Sequence, residues 1–349
     1  MEQVFDLLTA ALLPGFGPRK HKELASRVSL AEGLAHPGHH PDIFTRAAQD
    51  QLRSGEARRR AERELALARE RGAGIVGLGE QDYPEWLARI YDPPLVLYVR
   101  GTLVVGEGDR SLALVGSRAV TPQGAALTRA MGRDLALLGL TVLSGLARGT
   151  DTAAHRGVLD AKGRTVAVLG SGLDRVYPPE NAALADAIAG EGALVSEFPF
   201  GTGPEPGHFP RRNRILAGWG RAVVVVEAGE KSGALITARL ALEEGREVMA
   251  VPGHPSQPGA TGTNQLIRDG AALVRNGADV AFELGLLPTQ PAESPGEGLL
   301  GHLHRDQPRG LDEIQQRSGL TVPELLRQLS ELELGAKVRR LPGTLFMRI

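Results

Sequence analysis

The chain contains no cysteine, which excludes disulfides and thiolate metal sites, and with them a secreted, disulfide-stapled fold. Aromatic residues make up only 4%, leaving little surface for stacking. No apolar stretch reaches the ~18 residues of a membrane span. The opening Met1-Glu2-Gln3-Val4-Phe5-Asp6 lacks the basic start and apolar run of a signal peptide, so a cytoplasmic protein with no membrane partner is expected. An excess of positive charge is missing too. With 40 Lys+Arg against 41 Asp+Glu, a nucleic-acid binder must concentrate its arginines locally. Several catalytic signatures are absent: no Gly-x4-Gly-Lys loop for ATP, no Gly-x-Gly-x-x-Gly fingerprint placed between a strand and a helix for NAD or flavin, and no Gly-x-Ser-x-Gly nucleophile turn. His36, His39 and His40 lie in a Pro-Gly loop, and His302 and His304 have no carboxylate at ligand spacing. No metal, no cofactor and no catalytic residue is expected.

What is present is length and periodicity. A chain of 349 residues exceeds what one core usually holds, so more than one domain is expected. Residues 1–72 read as a small helical domain, ending in an arginine-rich helix over 55–71. Within it, Gly15-Phe16-Gly17-Pro18 between two helical runs resembles a helix-hairpin-helix turn. It serves either to bind a phosphate near Arg19, Lys20 and Lys22 or as a packing connector. Over 73–287, apolar runs at 112–115, 141–143, 165–169, 193–195, 222–226 and 248–251 alternate with helical stretches such as 123–138, 152–161 and 234–244. That pattern predicts an open α/β, Rossmann-like parallel sheet covered on both faces. Residues 288–298 read as linker. Residues 299–349 run helix, turn, helix and hairpin, the order of a winged helix, with Thr321 placed to cap its second helix.

In an open parallel sheet, ligands gather at the carboxyl ends of the strands, and five polar segments are candidates for that place. Gly116-Ser117-Arg118 follows the first run and precedes a helix that Thr121 can cap, which suits an anion met by backbone amides and a guanidinium fork. Ser144, Gly145 and Arg148 with Asp151 form a second turn, and Gly170, Ser171, Gly172 and Arg175 a third. Phe209-Pro210-Arg211-Arg212-Asn213-Arg214 gathers three arginines without an acid between them, beside an aromatic face for a base. Lys231-Ser232-Gly233 precedes a further helix. All of these are candidate DNA contacts.

Taken in order, these blocks, with His155, Tyr177-Pro178, Asn181 and Leu235-Ile236-Thr237-Ala238, resemble the DprA/Smf family of DNA-processing proteins over nearly the whole chain. The resemblance implies an extended Rossmann fold flanked by a SAM-like helical domain and a winged helix related to Z-DNA-binding domains. It implies a homodimer through the Rossmann-like domain that binds and protects single-stranded DNA during natural transformation and recombination and helps load the RecA recombinase. The family's DNA pocket falls on Arg118, Arg212, Asn213 and Arg214. Where several members carry a DNA-contacting lysine after Tyr-Pro, this chain has Pro179 and Glu180, so that contact does not carry over. The alternative is a nucleotide-binding or nucleotide-cleaving enzyme of the related superfamily, with Glu227 as its glutamate, although the glycine-threonine loop of those enzymes is missing. The second winged-helix helix, over 322–334, carries Glu324, Glu331 and Glu333 with only Arg327 as a base, a poor face for duplex phosphates.

Overall fold

The computed structural model describes residues 2–286, 298–303, 308–335, 337–341 and 343–348. The expected linker, up to residue 297, His304 and Pro342 lie outside the described residues. The chain forms two compact units, 1–287 and 288–349.

In the first unit five helices, α1 (Glu2–Ala11), α2 (Pro18–Ala25), α3 (Leu30–Ala35), α4 (Arg46–Arg53) and α5 (Glu56–Glu70), precede the sheet. Nine strands follow: β1 (Gly74–Gly77), β2 (Val96–Gly101), β3 (Ser111–Val115), β4 (Thr141–Ser144), β5 (Thr165–Val168), β6 (Ala193–Ser196), β7 (Ala222–Val225), β8 (Glu247–Ala250) and β9 (Ala272–Leu273). Between them run α6 (Glu85–Ala88), α7 (Pro122–Leu137), α8 (Thr150–Asp160), α9 (Ala182–Glu191), α10 (His208–Trp219), α11 (Gly233–Glu243) and α12 (Thr261–Arg268), and α13 (Gly277–Glu283) closes the unit. The six predicted strands match β3 to β8 to within one residue at each end.

The sheet order is β1-β2-β6-β5-β4-β3-β7-β8-β9. From β6 to β9 every pairing is parallel, whereas β1 and β2 run antiparallel at one edge, a departure from the expected parallel sheet. Alternation within each strand sets the layers. Ala113, Val115, Leu143, Val166, Val168, Val223 and Val225 face one core, under α10 and α11. Leu112, Leu114, Val142, Val224 and Met249 face the opposite side with Met131, Leu135 and Val158 of α7 and α8. Strand β2 shows the same rule: Leu97 and Val99 join the first core, while Val96 and Tyr98 pack with Leu7, Leu8, Leu24 and Phe44 of the N-terminal region.

The division expected at residue 72 therefore falls inside a continuous core. The N-terminal helices cover the face of the sheet near β2, β5 and β6, and Glu64 of α5 accepts a hydrogen bond from the Phe200 amide at 3.1 Å. The hairpin-like turn between α1 and α2 serves this packing. Leu12, Leu13 and Phe16 are buried, Phe16 stacks on Phe44 at 5.1 Å, and Lys20 donates to the Ile43 carbonyl at 2.7 Å.

In the second unit β10 (Arg309–Gly310), α14 (Leu311–Ser318), α15 (Val322–Leu334), β11 (Val338–Leu341) and β12 (Leu345–Arg348) form a winged helix whose sheet order is β10-β12-β11. Thr321 and Glu324 make a reciprocal capping box at the start of α15. Ile314, Leu325, Leu329, Val338 and Phe346 fill its core.

Candidate nucleic-acid interface

Strand order reverses between β3 and β7: β4, β5 and β6 lie on one side of β3, while β7 and β8 lie on the other. In such a sheet the loops leaving the two central strands diverge and open a crevice at their carboxyl ends. A cavity of about 900 Å³ occupies that place. It is lined by Gly116, Ser117 and Arg118 after β3, by Lys231, Ser232 and Gly233 after β7, and by Phe209, Arg212 and Asn213 of α10. A second, smaller pocket of about 80 Å³ adjoins it and is lined by Gly145, Arg148, Gly170 and Ser171 as well as Arg118 and Phe209.

The loop after β3 is held from below. Ser117 accepts hydrogen bonds on its carbonyl from the Thr150 amide at 3.1 Å and hydroxyl at 3.2 Å, and its side chain accepts from the Ala119 amide at 3.1 Å. Contact is close enough that a β-carbon at Gly116 would stand 2.5 Å from Thr150 Oγ1. Gly149 has φ +78°, and a β-carbon there would meet the Arg118 carbonyl at 2.7 Å. Arg118 itself is exposed, with its guanidinium 4.8 Å from the centre of the Phe209 ring, and it forms no ion pair among the described residues. A cation over an aromatic face, with no carboxylate to neutralise it, is a ready partner for an anion. Tyr177, 6.0 Å from Phe209 and lining both pockets, extends that aromatic surface. The sequence marks it only as part of a Tyr-Pro pair, with no sign of a role at the site.

Arg212 does a different job. Its guanidinium lies under the loop, where Nη1 donates to the Gly145 carbonyl at 2.8 Å and to the Val168 carbonyl. The residue is only 4% exposed, so it lines the cavity from within. Burial lowers its pKa to about 10, opposed by the charge of Asp151 and reinforced by that of Arg118; the group stays charged at neutral pH. Asp151 is buried beside it and accepts from the Gly145 and Ala147 amides at 3.1 and 3.2 Å. Burial raises the Asp151 pKa, against the pull of Arg212 and those amides. Gly145 is required here, because a β-carbon would lie 2.6 Å from Arg212 Cζ. The next residue, Leu146, holds φ +60° with its side chain in the core and Asn181 donating to its carbonyl at 2.9 Å. That conformation costs a non-glycine residue ~1 kcal/mol or more and fixes the loop in one shape.

Five candidate contacts line neither pocket. Ser144 is buried and donates to the Leu114 carbonyl at 2.7 Å, so its hydroxyl serves the sheet. Gly172 is a packing glycine, since a β-carbon would meet the Pro199 carbonyl at 2.5 Å. Arg175 is exposed and contributes its carbonyl to Ser171 Oγ at 2.6 Å. Arg211 pairs with Glu197 at 3.0 Å and lies over Phe198, and Arg214 pairs with the same carboxylate and with Asp92 at 3.6 Å. The reason is helical geometry: successive residues of α10 point about 100° apart, so Arg212 turns away from Arg211 and Arg214, which stand three residues apart on one side. The acid that claims two of them, Glu197 after β6, is distant in sequence. Asn213 ties α10 to α11, accepting from Arg212 Nε at 3.3 Å and donating to the Gly233 carbonyl at 3.4 Å. On the other side of the crevice Lys231 is exposed, and Ser232 caps α11 by accepting from the Ala234 amide at 3.3 Å.

Behind the site His155 of α8 is fully buried. The Thr165 hydroxyl donates to the Val142 carbonyl at 2.6 Å, so His155 Nδ1 is the protonated nitrogen that donates to Thr165 at 2.7 Å, and Nε2 has no partner among the described residues. Burial, then the charge of Arg212, lowers its pKa to about 3. The native state thus keeps a neutral imidazole while the unfolded chain takes up a proton below its ordinary pKa near 6.5. Stability falls as pH drops from about 6.5 towards 3, by about 2 kcal/mol at pH 5 from this group alone. Urea unfolding at pH 7.5 and pH 5 should show that loss reduced in His155→Gln; an identical pH response in the two proteins would contradict it.

The sequence profile of DNA recombination-mediator protein A matches residues 74–285, and that of the DprA winged helix domain matches residues 287–344. The chain belongs to the DNA recombination-mediator protein A family. It is 42% identical to DNA processing protein DprA of Bacillus subtilis over 222 residues, 64% of this chain and 75% of that one. With protein Smf of Escherichia coli it shares 40% identity over 285 residues, 77% of this chain and 76% of that one. Among solved structures of the DNA recombination-mediator protein A family, the X-ray structure of Streptococcus pneumoniae DprA superposes with a TM-score of 0.66 at 34% identity, covering 79% of this chain and 95% of that one. A structure of the Helicobacter pylori protein that addresses its single-stranded DNA binding mode gives a TM-score of 0.55 at 28% identity, covering 61% and 95%.

Proposed function

We propose that this DNA recombination mediator binds single-stranded DNA in the crevice between β3 and β7 and acts on it without chemistry. Phosphates sit at Gly116-Ser117-Arg118 and at Lys231-Ser232-Gly233, with bases against Phe209 and Tyr177. The observation that carries this reading is Arg118, exposed over Phe209 at the mouth of a 900 Å³ cavity with no carboxylate partner among the described residues. The Helicobacter pylori relative's binding mode supports the choice of a single strand. In this reading the protein works in the cytoplasm in natural transformation and recombination, shields incoming strands and hands them to the RecA recombinase. It does so as a homodimer through the Rossmann-like unit, where β9 is an edge strand with Leu273 47% exposed. Sedimentation of the purified protein, with and without oligothymidylate, tests the dimer.

The enzymatic alternative depends on Glu227, and that carboxylate is already engaged. Its Oε1 accepts from the Thr121 hydroxyl at 2.5 Å and its Oε2 from the Thr121 amide at 3.0 Å, fastening the start of α7. Incubation with nucleoside monophosphates should release no free base above a buffer control; steady release would favour the enzyme. Because the winged helix is a separate unit, a chain ending at residue 287 should keep its affinity for single strands to within about three-fold in a titration. A loss of tenfold or more would place part of the site in the second unit.

A further inference from the structure

The smaller pocket has a feature that the main cavity lacks. Its volume of about 80 Å³ is less than a tenth of that of the main cavity, and the two share Arg118, Tyr177 and Phe209. Two guanidinium-bearing residues, Arg118 and Arg148, line it together with the backbone at Gly170 and Ser171. The loops that carry them are locked together through Gly149 and Thr150, which pack against Ser117 and Arg118. Yet only Arg148 has an acid: its Nε donates to Glu180, in an ion pair whose side chains are 59% and 52% exposed. The Glu180 carboxylate is held in place by its neighbour. Asn181, 3% exposed, donates to the Leu146 carbonyl and to Thr152 Oγ1, both at 2.9 Å, which ties the Pro179–Asn181 turn to the loop that bears Arg148.

We propose that Glu180 is a built-in anion occupying the cation of a second phosphate subsite, formed by Arg118 and Arg148, so that a strand reaches this subsite only by displacing the carboxylate. The inference rests on the single-strand reading of the neighbouring cavity. A backbone phosphate carries one negative charge, as the carboxylate does, and an exposed ion pair is weak. Exchange of one anion for the other is therefore close to balanced, while the displaced carboxylate remains nearby and repels the strand. Glu180 thus lowers affinity and makes release easy, which suits a protein that passes its strand onward.

The experiment is a double-mutant cycle with fluorescent oligothymidylate at low and moderate salt, using the full chain. Glu180→Gln should tighten binding by about three- to ten-fold and steepen the salt dependence by about 0.7 in log–log slope, one further phosphate on a single strand. In Glu180→Gln combined with Arg148→Ala the gain should vanish, leaving the affinity of Arg148→Ala. Unchanged affinity in Glu180→Gln, or a gain that persists without Arg148, would overturn the proposal. Arg118→Ala measured alongside separates the two levels. Loss there without a gain at Glu180 overturns the subsite alone, whereas no loss there overturns the assignment of the cavity itself.

Discussion

Replacing Arg212 by alanine is expected to destabilise the first unit by about 3–5 kcal/mol, a large part of the 5–15 kcal/mol that typically separates folded from unfolded domains. The substitution strips two buried carbonyls, those of Gly145 and Val168, of their donor and leaves Asp151 without its compensating charge. Each loss carries a desolvation cost, because water does not reach a residue that is 4% exposed. Gly145→Ala should act on the same contact from the other side. Its β-carbon would overlap the guanidinium, and moving the guanidinium sacrifices charge-assisted hydrogen bonds worth ~1.5–3 kcal/mol each. Urea denaturation of both variants should show midpoints well below that of the native protein. Native-like stability with lost DNA affinity in Arg212→Ala would instead make Arg212 a direct phosphate ligand.

The opposite pattern is expected at Arg118. It is exposed, lies over Phe209 and forms no ion pair among the described residues, so Arg118→Ala should leave stability within about 0.5 kcal/mol. Affinity for single strands should fall by about ten- to one-hundred-fold at low salt, the ~1–3 kcal/mol of a well-placed arginine. Because one fewer phosphate is neutralised, the salt slope should shrink by about 0.7. Replacing an exposed arginine of α5, such as Arg58 or Arg63, should change affinity by less than about two-fold. Equal small losses at Arg118 and in α5 would remove the site from the crevice.

The contrast between these two arginines shows where sequence reasoning reaches and where it stops. The central strands were legible because a buried parallel sheet demands short, continuous apolar runs, and 112–115, 165–169 and 193–195 have that form, closed by Gly116, Gly170 and Ser196. The antiparallel edge was not, since β1 is only Gly-Ile-Val-Gly and the partner of β2 is β6, almost a hundred residues later. Likewise the boundary at 72 followed a change of periodicity, which says nothing about whether the helices before it share a core with the sheet after it. At the site, glycine turns at strand ends pointed to Gly116, Gly145 and Gly170, but burial is a tertiary property. Arg212 and Arg214 look like Arg118 in one dimension; the Gly145 and Val168 carbonyls and the Glu197 carboxylate distinguish them in three.

The most direct test of the account is the affinity of the full chain and of Arg118→Ala for single-stranded and duplex DNA, each across a salt series. The native protein should prefer the single strand and weaken steeply with salt, and Arg118→Ala should lose single-strand affinity with a shallower slope. Equal affinity for the two forms of DNA, or an Arg118→Ala variant that binds single strands with the native strength and slope, would contradict it.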